Sequence, residues 1–250
     1  MNGSIQRHKV VVQPRRVAQV MLGTLIVLLL AHVLALYVET VVGHDRFTGS
    51  GMFVRKFDMN RENSIPTWYG ASALLTCGAM AALISRLRSR QEHRRHWAGL
   101  AVLLVFLSLD EASWLHEEFS APVTQVTGVS PGPSEGVQWA WVLPYVSLAA
   151  VFAIAYIPFL RRLPGHTRTL LLLAGVLYVG GAAGLELLSP ELWTAGGTGV
   201  AFLAVATLEE VFEILGITVL TYALTTYLRD HAEPVTLAFS EAAAGQHRPP

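Results

Sequence analysis

A single cysteine, Cys77, sits inside an apolar run, so the chain has no intrachain disulfide and no CxxC metal motif, and the thiol reads as a small buried hydrophobe. Charge is also scarce, at 14% of residues, and eighteen basic residues balance eighteen acidic ones. That balance supplies no basic surface for nucleic acid, which is not expected as a partner. Reaction signatures are missing too. Neither HExxH nor an ExxH pair occurs, and the nine histidines are not grouped in the boxes of membrane desaturases.

What the chain has in excess is apolar length. Hydrophobic residues make up 52% of it, more than one soluble core of ordinary composition uses, and the bilayer is the expected partner. About 20 apolar residues at a rise of about 1.5 Å cross the hydrocarbon core. That ruler predicts six helices, near 18–41, 66–86, 97–118, 138–160, 168–188 and 199–227. The expected fold is therefore all-α, a polytopic membrane bundle of six transmembrane helices. A basic N-terminus spans 1–17, the membrane domain 18–228, and a disordered tail 229–250. The first run is longer than a signal-peptide core and lacks a small-residue cleavage site, so it reads as a retained span. Trp68, Tyr69, Trp97, Trp139, Trp141 and Tyr227 fall near predicted ends, as interfacial aromatics do.

Basic residues set the orientation. The N-terminus holds four Lys and Arg, the 86–95 segment five, the 161–168 segment three and the C-terminal tail two, fourteen in all. The alternate loops hold only Arg46, Arg55, Lys56 and Arg61. Fourteen against four puts both termini in the cytoplasm of a bacterial inner membrane.

Against that apolar background, SLDEASWLHEEF and TLEEVFEILG carry acids into membrane depth. An ionised carboxylate there costs about 2.5–3.5 kcal/mol on insertion scales, so the group reads as functional. On the predicted spans Asp110 lies about 20 Å from the inner edge and Glu209 about 15 Å below the outer one, with Glu186, Glu117 and Glu118 near that outer edge. On straight helices Asp110, Glu111, Trp114, Glu117 and Glu118 share one arc, and Glu209, Glu210 and Glu213 share another. Opposed across a bundle, they need protonation, a bound cation or basic side chains to offset their repulsion.

A divalent metal such as Fe or Mn is the sharpest of these remedies, because helix bundles hold such ions with inward carboxylates and a histidine or two. The candidate ligands are Asp110, Glu117, Glu186, Glu209, Glu213 and His116, with His44 as a further nitrogen donor. Glu111, Glu210, Asp58, Arg55 and Arg61 are the expected supporting or gating residues. His116 points about 120° away from Asp110 on a straight helix, so its entry requires the helix to unwind. The plainer readings are solvated interface carboxylates for Glu117 and Glu118, a neighbour-bonded Glu210, and a satisfied core histidine at His32.

In FDMNRENSIPTWY, Asp58, Asn60 and Glu62 begin like a calcium loop, but Asn63 stands where an EF-hand needs Gly and Tyr69 where it needs Glu. An Asx-type turn followed by a Ser64 helix cap accounts for most of the segment. Arg55, Lys56 and Arg61 nearby are placed to cover the acidic layer as a lid. A shared Leu-acid-Glu pattern, Leu109-Asp110-Glu111 and Leu208-Glu209-Glu210, hints at an inverted repeat of two three-helix halves, a plan used by transporters.

Taken in order, FDMNRENSIPTWY, LSLDEASWLHEEF and LEEVFEILG followed by a further apolar run resemble a family of bacterial multi-pass membrane proteins. The resemblance implies a six-helix membrane domain with acidic motifs in these three places, and it brings no activity with it. The chain departs from membrane CAAX-type proteases, since EEVFE lacks the arginine of their EExxxR motif. Three functions are expected to compete. One is a metal-binding membrane oxidoreductase or hydrolase acting on a lipid-like substrate. The others are a proton- or cation-coupled transporter and a non-catalytic membrane assembly component.

Overall fold

Hydrocarbon leaves a backbone no partner but itself, so apolar runs of this length fold as helices. The computed structural model describes residues 7–9, 12–42, 49–61, 63–87, 93–115, 142–185, 199–231 and 236–238. Among them are seven helices: α1 (Pro14–Tyr37), α2 (Gly49–Phe57), α3 (Ile65–Leu87), α4 (Arg94–Ser113), α5 (Val142–Arg162), α6 (Gly165–Val179) and α7 (Val200–His231). Wide π-helical turns extend α1 over Val38–Val42 and α6 over Gly180–Leu185. Two short strands, β1 (Arg7–Lys9) and β2 (Thr236–Ala238), pair antiparallel with His8 opposite Leu237.

Five stretches are long and apolar enough to cross a membrane: Pro14–Val41, Ile65–Leu87, Arg94–Ser113, Pro144–Arg162 and Gly165–Leu185. The protein is thus a helical membrane bundle. The longest helix, α7, carries Glu209, Glu210 and Glu213 and is not among those five.

Local sequence explains most of the boundaries. Pro14 opens α1 at a position where its missing N–H is not needed. Ser64 caps α3, its Oγ accepting from the Thr67 N–H at 3.3 Å, and Asp58 Oδ1 accepts from the Asn60 N–H at 3.1 Å in the expected Asx turn. Two boundaries differ from expectation. Residues 49–57 form a helix where the sequence reads as loop. In addition, α4 stops at Ser113, and Trp114 takes a left-handed backbone with φ of 60° while its N–H bonds back to the Asp110 carbonyl at 2.8 Å. The single arc expected to run from Asp110 to Glu118 is therefore cut after Ser113.

The most extensive contacts are α3 with α4 and α6 with α7, while α7 also packs on α1 and α3. The largest core patch gathers Leu74, Cys77, Ala81 and Ile84 of α3, Trp97, Ala101 and Leu104 of α4, and Phe159, Ile217, Leu224 and Tyr227. Trp97 and Tyr227, expected at the interface, are instead buried with ring centroids 4.8 Å apart, because α4, α5 and α7 converge at that end. Trp68 keeps the interfacial role and is 70% exposed.

Glycine sets how closely α6 and α7 approach. A Cβ on Gly216 would lie 2.8 Å from the Tyr178 nitrogen and 3.0 Å from the Ala174 oxygen, and main chain cannot step aside as a side-chain tip can. Gly216→Ala is expected to destabilise the bundle by about 1–3 kcal/mol. Gly23→Ala, with nothing within 4 Å of its Cβ, should leave the thermal midpoint of the detergent-solubilised protein unchanged or slightly raised.

Candidate functional site

Near the end of α4, Asp110 is buried and accepts a hydrogen bond at 2.9 Å from the Tyr145 hydroxyl of α5. The next residue, Glu111, turns toward α3. A Cβ on Gly70 would come within 3.3 Å of Glu111 Oε1, so the absence of a side chain there gives the carboxylate its room. One turn earlier, Ser108 Oγ donates to the Ala71 carbonyl at 2.7 Å and ties α4 to α3 just beside these acids. Sequence spacing thus puts Asp110 and Glu111 on α4, and small residues at the first turns of α3 let that part of α4 come close.

On α7, Glu209, Glu210 and Glu213 are half-buried. Gly181, in the wide turn after α6, packs on this part of α7: a Cβ there would meet the Glu209 main-chain oxygen at 2.9 Å and Glu213 Cγ at 3.3 Å.

Of the expected metal ligands, Asp110, Glu209 and Glu213 are in this region, whereas His116, Glu117 and Glu186, with His44, lie outside the described residues. No group of three or more His, Cys, Asp or Glu is arranged to hold a metal ion among the described residues. Of the expected lid residues, Lys56 and Arg61 have their partners elsewhere. Lys56 Nζ donates to the Asn63 carbonyl at 3.2 Å, Arg55 is exposed on α2, and Arg61 bridges Asp58 and Glu39 at 2.9 Å each.

That bridge belongs to a second polar cluster, built around His32. Its ring is fully buried in α1, with Nε2 2.9 Å from Thr207 Oγ1 of α7 and Nδ1 accepting from the Met59 N–H at 2.9 Å. Asp58 Oδ1 stands 3.3 Å from the same Nδ1. Met59 is driven into the bundle against Leu25 and Ile214, which fixes the 58–61 segment over α1 and α7. Burial pushes the Asp58 carboxyl up, but its contacts with His32, Arg61 and the Asn60 amide outweigh it and hold Asp58 below the usual carboxylate value.

His32 is the satisfied core histidine that its isolation in an apolar run suggests, yet its partners were not readable. Thr207 is 175 residues away, and Tyr145, 35 residues from Asp110, lies in a run that otherwise reads as apolar span. The usable signal was the type of residue: a buried imidazole or phenol must find a partner, and in a membrane bundle that partner is usually on another helix.

The family model described as "Domain of unknown function (DUF8692)" matches residues 14–227, and the chain belongs to that family. No curated protein and no solved structure matches it.

The depressed Asp58 value has a sign. A carboxyl held below its unfolded value of 3.8 contributes stability that is present above that pH and lost as the pH falls through the folded value. Thermal unfolding followed downward from neutral pH is expected to show an acid-induced loss that is smaller in Asp58→Asn, the variant starting from the lower midpoint.

Proposed function

We propose that this member of the DUF8692 family is a six-span bacterial inner-membrane protein that handles protons on carboxylates in its outer half, and that it works as a proton-coupled carrier. The reading is supported by the placement of Asp110 against the Tyr145 hydroxyl, of Glu111 against Gly70 and of Glu213 against Gly181, on apolar helices where each ionised acid is costly. Carboxylates in one another's field do not all ionise together; a proton shared among them lowers the repulsion and can be given up when a solute or a conformational change alters the spacing.

Two observations support the sixth crossing. The β1–β2 ribbon joins the chain just before α1 to the chain just after α7, which favours both ends on one side of the membrane. Five crossings would separate them; α7 as the sixth brings them back. Fourteen basic residues flanking that side against four on the other favour the cytoplasm for both ends. In this orientation α4 runs outward and α7 inward, and the acids fall in the outer half, within reach of periplasmic protons.

Infrared spectroscopy of the purified protein at neutral pH tests the reading. A protonated-carboxyl band is expected in the parent and is expected to be lost or shifted in Glu213→Gln and in Asp110→Asn. Should every carboxyl be ionised in the parent, protons do not hold the group together. Stoichiometric iron or manganese in the same sample would then favour a metal-dependent membrane enzyme acting on a lipid-like substrate.

A further inference from the structure

Among the five crossings, α5 is the one most open to lipid: 6% of its apolar stretch is buried, the least of the set. Its inward face carries a row of rings, Phe152, Tyr156 and Phe159, and the row ends against the start of α4. The His96 ring stacks on Phe159 with centroids 5.0 Å apart and planes 3° from parallel, and the Tyr156 hydroxyl donates to the His96 carbonyl at 2.8 Å. Gly99 makes that bond possible, because a Cβ there would run into the Tyr156 hydroxyl. The first turn of α4 and the last turn of α5 are therefore fixed side by side.

Four arginines flank that junction. Arg94 and Arg95 open α4, Arg161 and Arg162 close α5, all four are exposed, and none has a carboxylate partner among the described residues. Sequence neighbours do not balance them. Residues 86–96 hold five arginines and one acid, Glu92, and residues 142–185 hold no acid at all. At the nearby end of α7, Asp230 is held by Arg229 at 2.7 Å, and the tail beyond adds Glu233 and Glu241 together with Arg248.

Helix electrostatics adds to the excess. Arg94 and Arg95 stand at the positive end of the α4 dipole, with no acid in that turn and no side chain capping its free N–H groups. Cations there oppose the dipole, whereas an anion between the arginines and the free N–H groups is attracted by both.

We propose that this corner binds an anionic phospholipid, its phosphodiester held by Arg94, Arg95, Arg161 and Arg162 and its acyl chains laid along α5. A guanidinium suits that task because it meets a phosphate with two N–H donors at once. The apolar half of the match is on the same helix. Val151, Ile154 and Pro158 are exposed on one arc of α5 that runs into Arg161 and Arg162 and lies opposite the rings. From Val151 to Arg161 the helix rises about 15 Å, the depth of one leaflet of a core about 30 Å thick. A free phosphate uses the guanidiniums alone, and an amphiphile of this length uses both parts. The site is separate from the carboxylates of α4 and α7 and stands whether or not they handle protons.

Native mass spectrometry of the full chain, released from micelles doped with phosphatidylglycerol or with phosphatidylcholine, tests this. The parent is expected to hold phosphatidylglycerol about tenfold more tightly than phosphatidylcholine, and the combined Arg94→Gln, Arg95→Gln, Arg161→Gln and Arg162→Gln variant is expected to lose that preference. Arg15→Gln with Arg16→Gln, which removes two exposed cations from the start of α1, is expected to keep it. If the fourfold variant does not insert, Arg161→Lys with Arg162→Lys preserves the charge that orients the hairpin but gives up the two-pronged grip, and it is expected to bind phosphatidylglycerol several-fold more weakly. Three results overturn the proposal: an undiminished preference in whichever of these site variants inserts, an equal loss on changing Arg15 and Arg16, and displacement of phosphatidylglycerol by equimolar inorganic phosphate, which makes the ligand a free anion.

Discussion

Keeping carboxylates at membrane depth is the constraint to which the rest of this fold answers. Each ionised acid exposed to hydrocarbon costs at least about 2.5–3.5 kcal/mol on insertion scales, so an arrangement that left five of them facing lipid would not insert. Three of them have defined surroundings. Asp110 receives a phenol hydrogen bond from Tyr145, Glu111 lies in the space left by Gly70, and Glu213 backs onto Gly181. The small residues of α3 and of the α6 turn thus serve two needs at once: they let helices approach, and they leave volume for polar side chains that a larger residue would fill.

How far this was legible in the sequence depended on the range of the interaction concerned. The five crossings follow from run length and composition, since hydropathy over about 20 residues is a property of the segment alone. The Ser64 cap and the Asp58 turn were readable because each acts across two or three residues. Helix α2 was hidden because nine residues with two glycines carry little helical signal; its formation owes more to Val54 and the following Met59 being buried against the bundle. The end of α4 was hidden for the opposite reason. Apolar and acidic residues continue past Ser113 in a helical rhythm, and only the left-handed backbone at Trp114 breaks it.

The acidic residues themselves were visible, but what surrounds them was not. That Tyr145 meets Asp110, and that His32 meets Thr207, depends on helix rotation, and a nearly uniform apolar surface gives no sequence signal of which face turns inward. Arg61 illustrates the same limit. Its position on the loop nearest the acids suggested a neutraliser for them, yet a closer pair, Asp58 and Glu39, takes its guanidinium. Near a surface, a cation goes to the acids it can reach without leaving water, and it is 44% exposed where it stands.

Helix α7 joins the two polar regions, and the nature of its contacts decides which of them can move. Thr207 and Glu209 are two residues apart, a rotation of about 200°, so the face that meets α1 through His32 is nearly opposite the face that meets α6 at Gly181. Toward α6 the contact is steric, main chain against glycine at Gly216 and Gly181, and helices interlocked that closely do not slide without separating. Toward α1 the polar contact is a hydrogen bond between an imidazole and a hydroxyl, which can be remade with a different donor at little cost. A rearrangement of this bundle therefore keeps α6 and α7 together as one body and opens or shifts the α1 side, where the 58–61 segment is held.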